Sequence, residues 1–268
     1  MRKLWRLHIR PSGGDGNVKK SLDLCLDRSI VGMGWPVPEE DVKASTDLEW
    51  YKAAAIREYE ENTSWHSVWT FAESVQLGDL VWFRNLQGRY YLAEITGPWQ
   101  YAYQDKAAID ADIVNFRKAR IVEVGLADAV PGKIIACFRP PLCFMPIKSP
   151  GMRSFSETLS GVPVTENLVF DLYELMSDVD LENLVFVYLQ SCGWYVLPGT
   201  RTPTTAHYEF VLVNRESGER AIVQVKSGES GIDAAQYSGG ERRRFFLLLP
   251  EIMEQNFPIM RLSSLAKT

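Results

Sequence analysis

Residues that build covalent or zinc cross-links are scarce in this sequence, which has four cysteines and three histidines among 268 residues. The cysteines show no CxxC spacing, so a zinc site made of Cys and His side chains is not expected. Free, partly buried thiols in a reducing compartment are the simplest interpretation.

Long apolar runs and several well-known catalytic motifs are also missing. No stretch of 18 or more apolar residues occurs, and the charges at the start of the chain are not followed by the apolar core of a signal peptide. The protein is therefore expected to be cytoplasmic, without a membrane partner. The segment Gly13–Gly16 lacks the context of a phosphate-binding loop, and neither a Gly-x-Ser-x-Gly elbow nor an HExxH helix occurs.

An excess of positive charge is a further absence, because the formal net charge is −5. Proteins that bind nucleic acid are often basic. A metal-dependent nuclease, however, concentrates carboxylates at its site and needs only a local basic groove. The charge therefore counts only weakly against nucleic-acid binding.

Aromatic residues are abundant in the first half of the chain, where five of the eight tryptophans lie between Trp35 and Trp82. Short strands separated by turns that contain Gly or Pro predict a small β-barrel over residues 1–147. The predicted strands are 4–9, 80–84, 89–95, 119–124 and 133–138, and a helix is predicted at 47–61.

Residues 148–165 are rich in Ser, Pro and Gly, which predicts a linker. The pattern then changes, so that residues 166–268 form a second predicted domain and the fold class is α+β. Helices are predicted at 166–176 and 181–191, followed by strands at 194–197, 208–213, 221–225 and 245–249.

Two of these late strands carry polar side chains on one face. A turn that contains Gly218 separates them, so they are expected to form a hairpin. Because side chains alternate between the faces of a strand, Glu209 would lie opposite Gln224, with Lys226 on the same face.

Two interpretations of this cluster stay open. A Glu–Lys pair across neighbouring strands is common on a solvated sheet face and contributes about 0.2–1 kcal/mol. Alternatively, because a desolvated charge is costly, the carboxylate binds a divalent cation. Mg²⁺ prefers oxygen ligands, and the Lys would stabilise an attacking hydroxide or the negative charge that develops on phosphorus.

The order of residues 166–250 resembles the PD-(D/E)xK nuclease superfamily, and within it the Mrr-like restriction endonucleases that use a Q-x-K motif. A helix with an acid in its first turn precedes a Gly stop, a strand, a polar loop and a hairpin that ends in Gln-Val-Lys. The resemblance implies an α/β restriction-endonuclease-like domain with a mixed central sheet. The catalytic residues that it implies are Glu182, Glu209, Gln224 and Lys226.

The resemblance also assigns roles to these residues. Glu182 and Glu209 would hold Mg²⁺, with Mn²⁺ as the alternative ion, Gln224 would complete the coordination or orient a water, and Lys226 would stabilise the developing charge. Two features depart from the family: Glu209 replaces the usual Asp, and no Pro-Asp dipeptide precedes it. Glu182 has a second explanation, because acids in a first helical turn interact favourably with the helix dipole.

The first half resembles the PUA-like group of small barrels, including EVE domains, in two segments. These are Ile30-Val-Gly-Met-Gly-Trp-Pro36 and the hairpin that starts at Leu77-Gly-Asp-Leu-Val-Trp. Such domains are similar to modules that bind a flipped, modified base. Trp35, Trp82 and Trp99 are therefore predicted to line a base pocket, and packing in the core is the alternative for each.

Together the two resemblances imply a type IV-like, modification-dependent restriction endonuclease of a phage-defence setting. Its partner would be modified DNA, and it would act as a homodimer because cutting both strands needs two active sites. A non-catalytic nucleic-acid-binding protein and an RNA-directed protein with a nuclease-like fold are the alternatives.

Overall fold

A computed structural model describes residues 1–11, 16–38, 47–60, 62–102, 104–164, 175–200, 209–225 and, for the backbone alone, 243–248. The chain divides into two compact units, Met1–Leu175 and Met176–Thr268. Within the described ranges, no helix is both long and apolar enough to cross a membrane.

The first unit contains a six-stranded mixed sheet and six α-helices among its described residues. Its strands are β1 (Leu4–Leu7), β2 (Ile30–Met33), β3 (Leu80–Arg84), β4 (Tyr90–Tyr101), β5 (Asn115–Gly125) and β6 (Phe144–Pro146). Its helices are α1 (Val18–Asp27), α2 (Leu48–Tyr59), α3 (His66–Trp69), α4 (Lys106–Asp110), α5 (Gly132–Ala136) and α6 (Pro150–Ser160).

The strand order of this sheet is β2-β5-β4-β3-β1-β6. The pair β1–β3 is parallel and the other pairs are antiparallel. Among the described strands, β2 and β6 form the two edges, and hydrogen bonds do not close them into a barrel. A mixed α and β architecture is thus present, and the PUA-like barrel stays a prediction.

The predicted hairpin in the first unit is confirmed, since β3 and β4 pair as antiparallel neighbours. The turn between them is held by Asn85, whose side-chain oxygen accepts a hydrogen bond from the Arg89 amide at 2.8 Å. Gly88 completes the turn with a φ of +78°, a value that suits glycine. The strand predicted at 133–138 is wrong, because residues 132–136 form helix α5 after Pro131.

Helix α6 lies inside the segment that the sequence predicts as a linker, and this part of the prediction is wrong. The Ser149 side chain caps the helix, Pro150 occupies its first turn, and Gly161 ends it at a φ of +70°. Met152 is fully buried beneath the sheet, and the Ser156 hydroxyl accepts a hydrogen bond from the Trp82 indole at 2.9 Å. The residues that suggested a linker are therefore the start and stop signals of a packed helix.

The described part of the second unit is a four-stranded mixed sheet with a helix on one face. Helix α7 spans Asp178–Ser191, and the strands are β7 (Trp194–Val196), β8 (Phe210–Asn214), β9 (Arg220–Val225) and β10 (Arg243–Leu248). The strand order is β10-β9-β8-β7, in which β10 runs parallel to β9 and the other pairs are antiparallel. The helix predicted at 166–176 lies almost entirely outside the described residues.

Candidate functional site

The hairpin β8–β9 brings the predicted acid and amide together. Phe210 pairs with Val223, and just beyond this pair the Glu209 amide donates to the Val223 carbonyl at 2.7 Å. At the other end, the Asn214 side chain accepts hydrogen bonds from two turn amides at 3.0 Å, and Gly218 has a φ of +70°. Turn chemistry and strand alternation together fix the register that places Glu209 beside Gln224.

Glu209 and Gln224 are joined by a short hydrogen bond. The Gln224 Nε2 donates to the Glu209 Oε1 at 2.6 Å. Gln224 is only 6% exposed, whereas Glu209 is partly buried. Because the amide nitrogen of Gln224 donates here, its amide oxygen is the atom of this side chain that can accept a further hydrogen bond or bind a cation.

The pair stands on the sheet face that α7 does not cover. Phe210, Leu212, Ala221 and Val223 form the core with Leu189 and the partly buried Val185 and Phe186 of α7. Since neighbouring residues of a strand point to opposite faces, Glu209 and Gln224 lie on the other face. Glu209 and Gln224 thus form a partly buried polar pair on this face, joined by their own hydrogen bond.

Glu182 lies in the early part of α7. Other residues of this helix pack on the face of the sheet opposite to Glu209 and Gln224. A shared cation between Glu182 and Glu209 therefore stays a prediction. The acid that caps the helix is Asp180, which forms a reciprocal capping box with Ser177.

The oxygen atoms of the pair are of the type that a hard cation binds. One carboxylate and one amide oxygen fit an Mg²⁺ ion that keeps several waters or phosphate oxygens. Among the described residues there is no group of three or more His, Cys, Asp or Glu side chains that could hold a metal ion. Lys226, the last residue of the predicted motif, lies outside the described residues.

The first unit contains a separate cavity of about 910 Å³. Aromatic walls come from Trp35, Tyr59 and Phe144, and the polar wall includes Asp112 and His8. Trp35 stands edge-on to Tyr59, with ring centroids 5.1 Å apart. The volume lies near the upper end of the range for pockets that enclose a small molecule.

His8 contributes a neutral ring to this cavity. Burial, with a smaller contribution from the nearby charges of Arg6 and Arg10, lowers the pKa of His8 from 6.5 to about 4. The His8 Nε2 lies 3.2 Å from the Pro140 carbonyl, which can only accept, so Nε2 carries the proton. At neutral pH the ring is thus an uncharged hydrogen-bonding group.

Only Trp35 of the three predicted base-binding tryptophans lines the cavity. Trp82 is fully buried in the core between the sheet and α6, where its indole donates to Ser156. Trp99 is 5% exposed and packs against Tyr51, with ring centroids 5.7 Å apart. For these two residues the alternative of core packing applies, because both belong to strands whose two faces are covered.

Sequence reasoning missed Asp112, Tyr59 and His66, which line the cavity. Gly34 is the one local signal for Asp112. A Cβ added to Gly34 would lie 2.1 Å from an Asp112 carboxylate oxygen, so only glycine allows this approach. The sequence shows the glycine but not the residue that it accommodates.

Comparisons with known proteins do not assign the chain to a family. No family model, curated protein or solved structure matches it. The geometry of the two units is therefore the basis for a functional proposal.

Proposed function

We propose that this chain is a modification-dependent, type IV-like restriction endonuclease that hydrolyses DNA phosphodiesters with Mg²⁺. The observation that carries the proposal is the 2.6 Å hydrogen bond between Gln224 and Glu209, on two neighbouring strands of a mixed sheet. Glu209 and Gln224 are two of the four residues that the resemblance to Mrr-like nucleases implies; of the others, Glu182 lies in α7 and Lys226 lies outside the described residues.

The order of elements supports the same proposal. A helix, a strand, a hairpin and a further strand follow one another from Asp178 to Leu248, and the last strand makes the sheet mixed. The resemblance implied an α/β domain with a mixed central sheet. This agreement concerns the fold, whereas the chemistry depends on Glu209, Gln224 and Lys226.

In the proposed mechanism each residue of the motif has a separate task. Gln224 holds the Glu209 carboxylate in one orientation through its amide nitrogen and keeps its amide oxygen for a further contact. When bound, Mg²⁺ would polarise the phosphate and lower the pKa of a coordinated water. Lys226 would stabilise the negative charge that develops on the phosphate oxygens.

The cavity of the first unit is the proposed site for the modified base. A base that leaves the double helix needs an aromatic face for stacking and polar groups that read its edge. Trp35 supplies such a face at the cavity wall. A homodimer would supply the second active site that cleavage of both strands requires.

Plasmid cleavage tests the nuclease proposal directly. Supercoiled plasmid that carries 5-hydroxymethylcytosine, and unmodified plasmid, are incubated with the protein and Mg²⁺, Mn²⁺ or EDTA. We expect nicking or linearisation of the modified plasmid with either metal and none with EDTA. Glu209→Gln, Gln224→Ala and Lys226→Ala should each lower the rate at least about 100-fold, as losses of transition-state stabilisation do.

A matched control variant distinguishes the loss of a catalytic group from the loss of one negative charge. Glu216→Gln removes the same charge as Glu209→Gln, but from the exposed turn of the same hairpin, and it should cleave at the wild-type rate. Glu182→Gln should retain more activity than Glu209→Gln, because its helix covers the other sheet face. Binding of modified plasmid without nicking would support a non-catalytic protein, and preferential cleavage of RNA would support an RNA-directed enzyme.

A further inference from the structure

Among the described residues that line the cavity, Asp112 carries the one carboxylate, and this residue is 5% exposed. Asp112 has a φ of +52°, and Trp35 on the aromatic wall has a φ of +70°. Residues other than glycine adopt such values rarely, and they do so where the surrounding structure imposes them. Of the four described non-glycine residues with a positive φ, Trp35 and Asp112 line this cavity.

The contacts around Gly34 and Trp35 show what holds this geometry. The Asn115 side chain donates to the Gly34 carbonyl at 2.6 Å, and the Tyr51 hydroxyl donates to the Trp35 carbonyl at 3.0 Å. The Asp112 carboxylate lies so close to Gly34 that a side chain there would collide with it. These contacts hold the backbone that places Trp35 and Asp112 at the cavity wall.

The chemistry of a carboxylate determines which ligand edge it can read. It accepts hydrogen bonds and has two oxygens with about four acceptor positions, so Asp112 can keep a partner in the protein and accept from a ligand. An amino group on a base edge donates to a carboxylate, as cytosine N4 does. A uracil-type base presents a carbonyl oxygen at the same position, and two acceptors then face each other.

We propose that Asp112 makes the cavity selective for a modified base with an exocyclic amino group, of the cytosine class, over uracil-type bases with the same modification. This inference rests on the proposed function, because it assumes that the cavity takes a nucleobase. It adds that Asp112 is the residue that contacts the base and that the exocyclic amino group is the group it contacts. Asp112 is the carboxylate among the described residues that line this cavity, and Arg10 also belongs to its lining.

Two matched oligonucleotides test the proposal without any cleavage. One carries 5-hydroxymethylcytosine and the other 5-hydroxymethyluracil, and both are single-stranded so that no base pair has to open. Binding to the full chain is measured by fluorescence anisotropy in EDTA. We expect the cytosine form to bind at least about tenfold more tightly, the size of effect that one good base contact gives.

Variants of the chain assign the selectivity to Asp112. In Asp112→Asn the new amide can donate as well as accept, so the ratio between the two oligonucleotides should fall to about threefold or less. Asn also tolerates a positive φ, so the backbone should be preserved, which circular dichroism can check. Asp128→Asn, in an exposed turn away from the cavity, is the control and should keep the wild-type ratio.

Three results would overturn the inference. These are equal binding of the two oligonucleotides, an unchanged ratio in Asp112→Asn, and binding of a trimethyl-lysine peptide in place of both. The last is the other ligand class that aromatic rings beside a carboxylate can accept. If only the nuclease proposal were wrong, the chain would still bind the two oligonucleotides selectively. It would, however, leave the modified plasmid intact in Mg²⁺.

Discussion

Replacing Gln224 with Glu puts a second carboxylate against that of Glu209, where the wild-type chain has an N–H···O hydrogen bond of 2.6 Å. Two unit charges about 4 Å apart repel by about 4 kcal/mol at an effective dielectric constant of about 20. The variant also loses the hydrogen bond, which contributes about 1.5–3 kcal/mol when one partner is charged. Because Glu209 is partly exposed and can turn away, we expect a net loss of about 1–2 kcal/mol in the free energy of unfolding.

Mg²⁺ should reverse this loss if the pair is a cation site. An ion that binds the folded state alone raises the free energy of unfolding by about 2.7 kcal/mol at 100 times its Kd. The assay is urea unfolding of the variant in EDTA and in millimolar Mg²⁺, followed by tryptophan fluorescence and circular dichroism. Gln190→Glu, on the exposed side of α7, adds the same charge and serves as the control.

Two results would refute this reasoning. Unchanged stability of Gln224→Glu in EDTA would mean that the two side chains do not meet in solution. A loss of stability that Mg²⁺ leaves untouched would mean that the carboxylates meet but do not bind a cation.

Three further predictions concern the first unit. Trp35→Ala should weaken binding of the modified oligonucleotide by about 1–3 kcal/mol, since one stacking face is lost, and an unchanged anisotropy titration would contradict a stacking role. Trp82→Phe should lower the free energy of unfolding by about 1–3 kcal/mol, because the hydrogen bond to Ser156 and some packing are lost. The affinity for the oligonucleotide should not change, and weaker binding would indicate that Trp82 contacts the ligand. His8 has a pKa of about 4 in the folded chain against 6.5 when unfolded, so its stabilising contribution is full above pH 6.5 and is lost as the pH falls towards 4. Unfolding in urea across this range should therefore show a steeper decline for the wild type than for His8→Asn, by up to about 1.4 kcal/mol per pH unit, and equal slopes would contradict a buried neutral ring.

The hairpin of the second unit was predictable because its information is local. Alternation along two strands and the Gly218 turn are enough to place Glu209 opposite Gln224, and the structure has them in contact. Strand order could not be obtained in this way. The parallel pairing of β10 with β9 depends on tertiary packing.

Helix α6 was missed because its sequence signals are ambiguous. Ser149, Pro150 and Gly161 are typical of a linker, and they are equally typical of a helix start and stop. What decides between the two is the burial of Met152 and Ser156 against Trp82, more than 65 residues earlier in the chain. Such distant partners have no local signature.

The cavity shows the same limit for aromatic residues. The sequence does not distinguish between Trp35, Trp82 and Trp99 as cavity residues. In the structure only Trp35 of these three lines the described cavity. Asp112 was not predicted at all, because segments far apart in the sequence converge to form its wall. Composition thus indicated an aromatic-rich unit but could not assign each ring to core or cavity.

The central claim is that Glu209 and Gln224 hold a divalent cation beside a phosphate, and crystals of the full chain grown with Mn²⁺ and a DNA oligonucleotide test it most directly. We predict an anomalous-scattering peak about 2.0–2.2 Å from a Glu209 carboxylate oxygen, the distance of direct coordination. A refined structure with Mn²⁺ absent from this position, and with Glu209 bonded to Gln224 alone, would contradict the account.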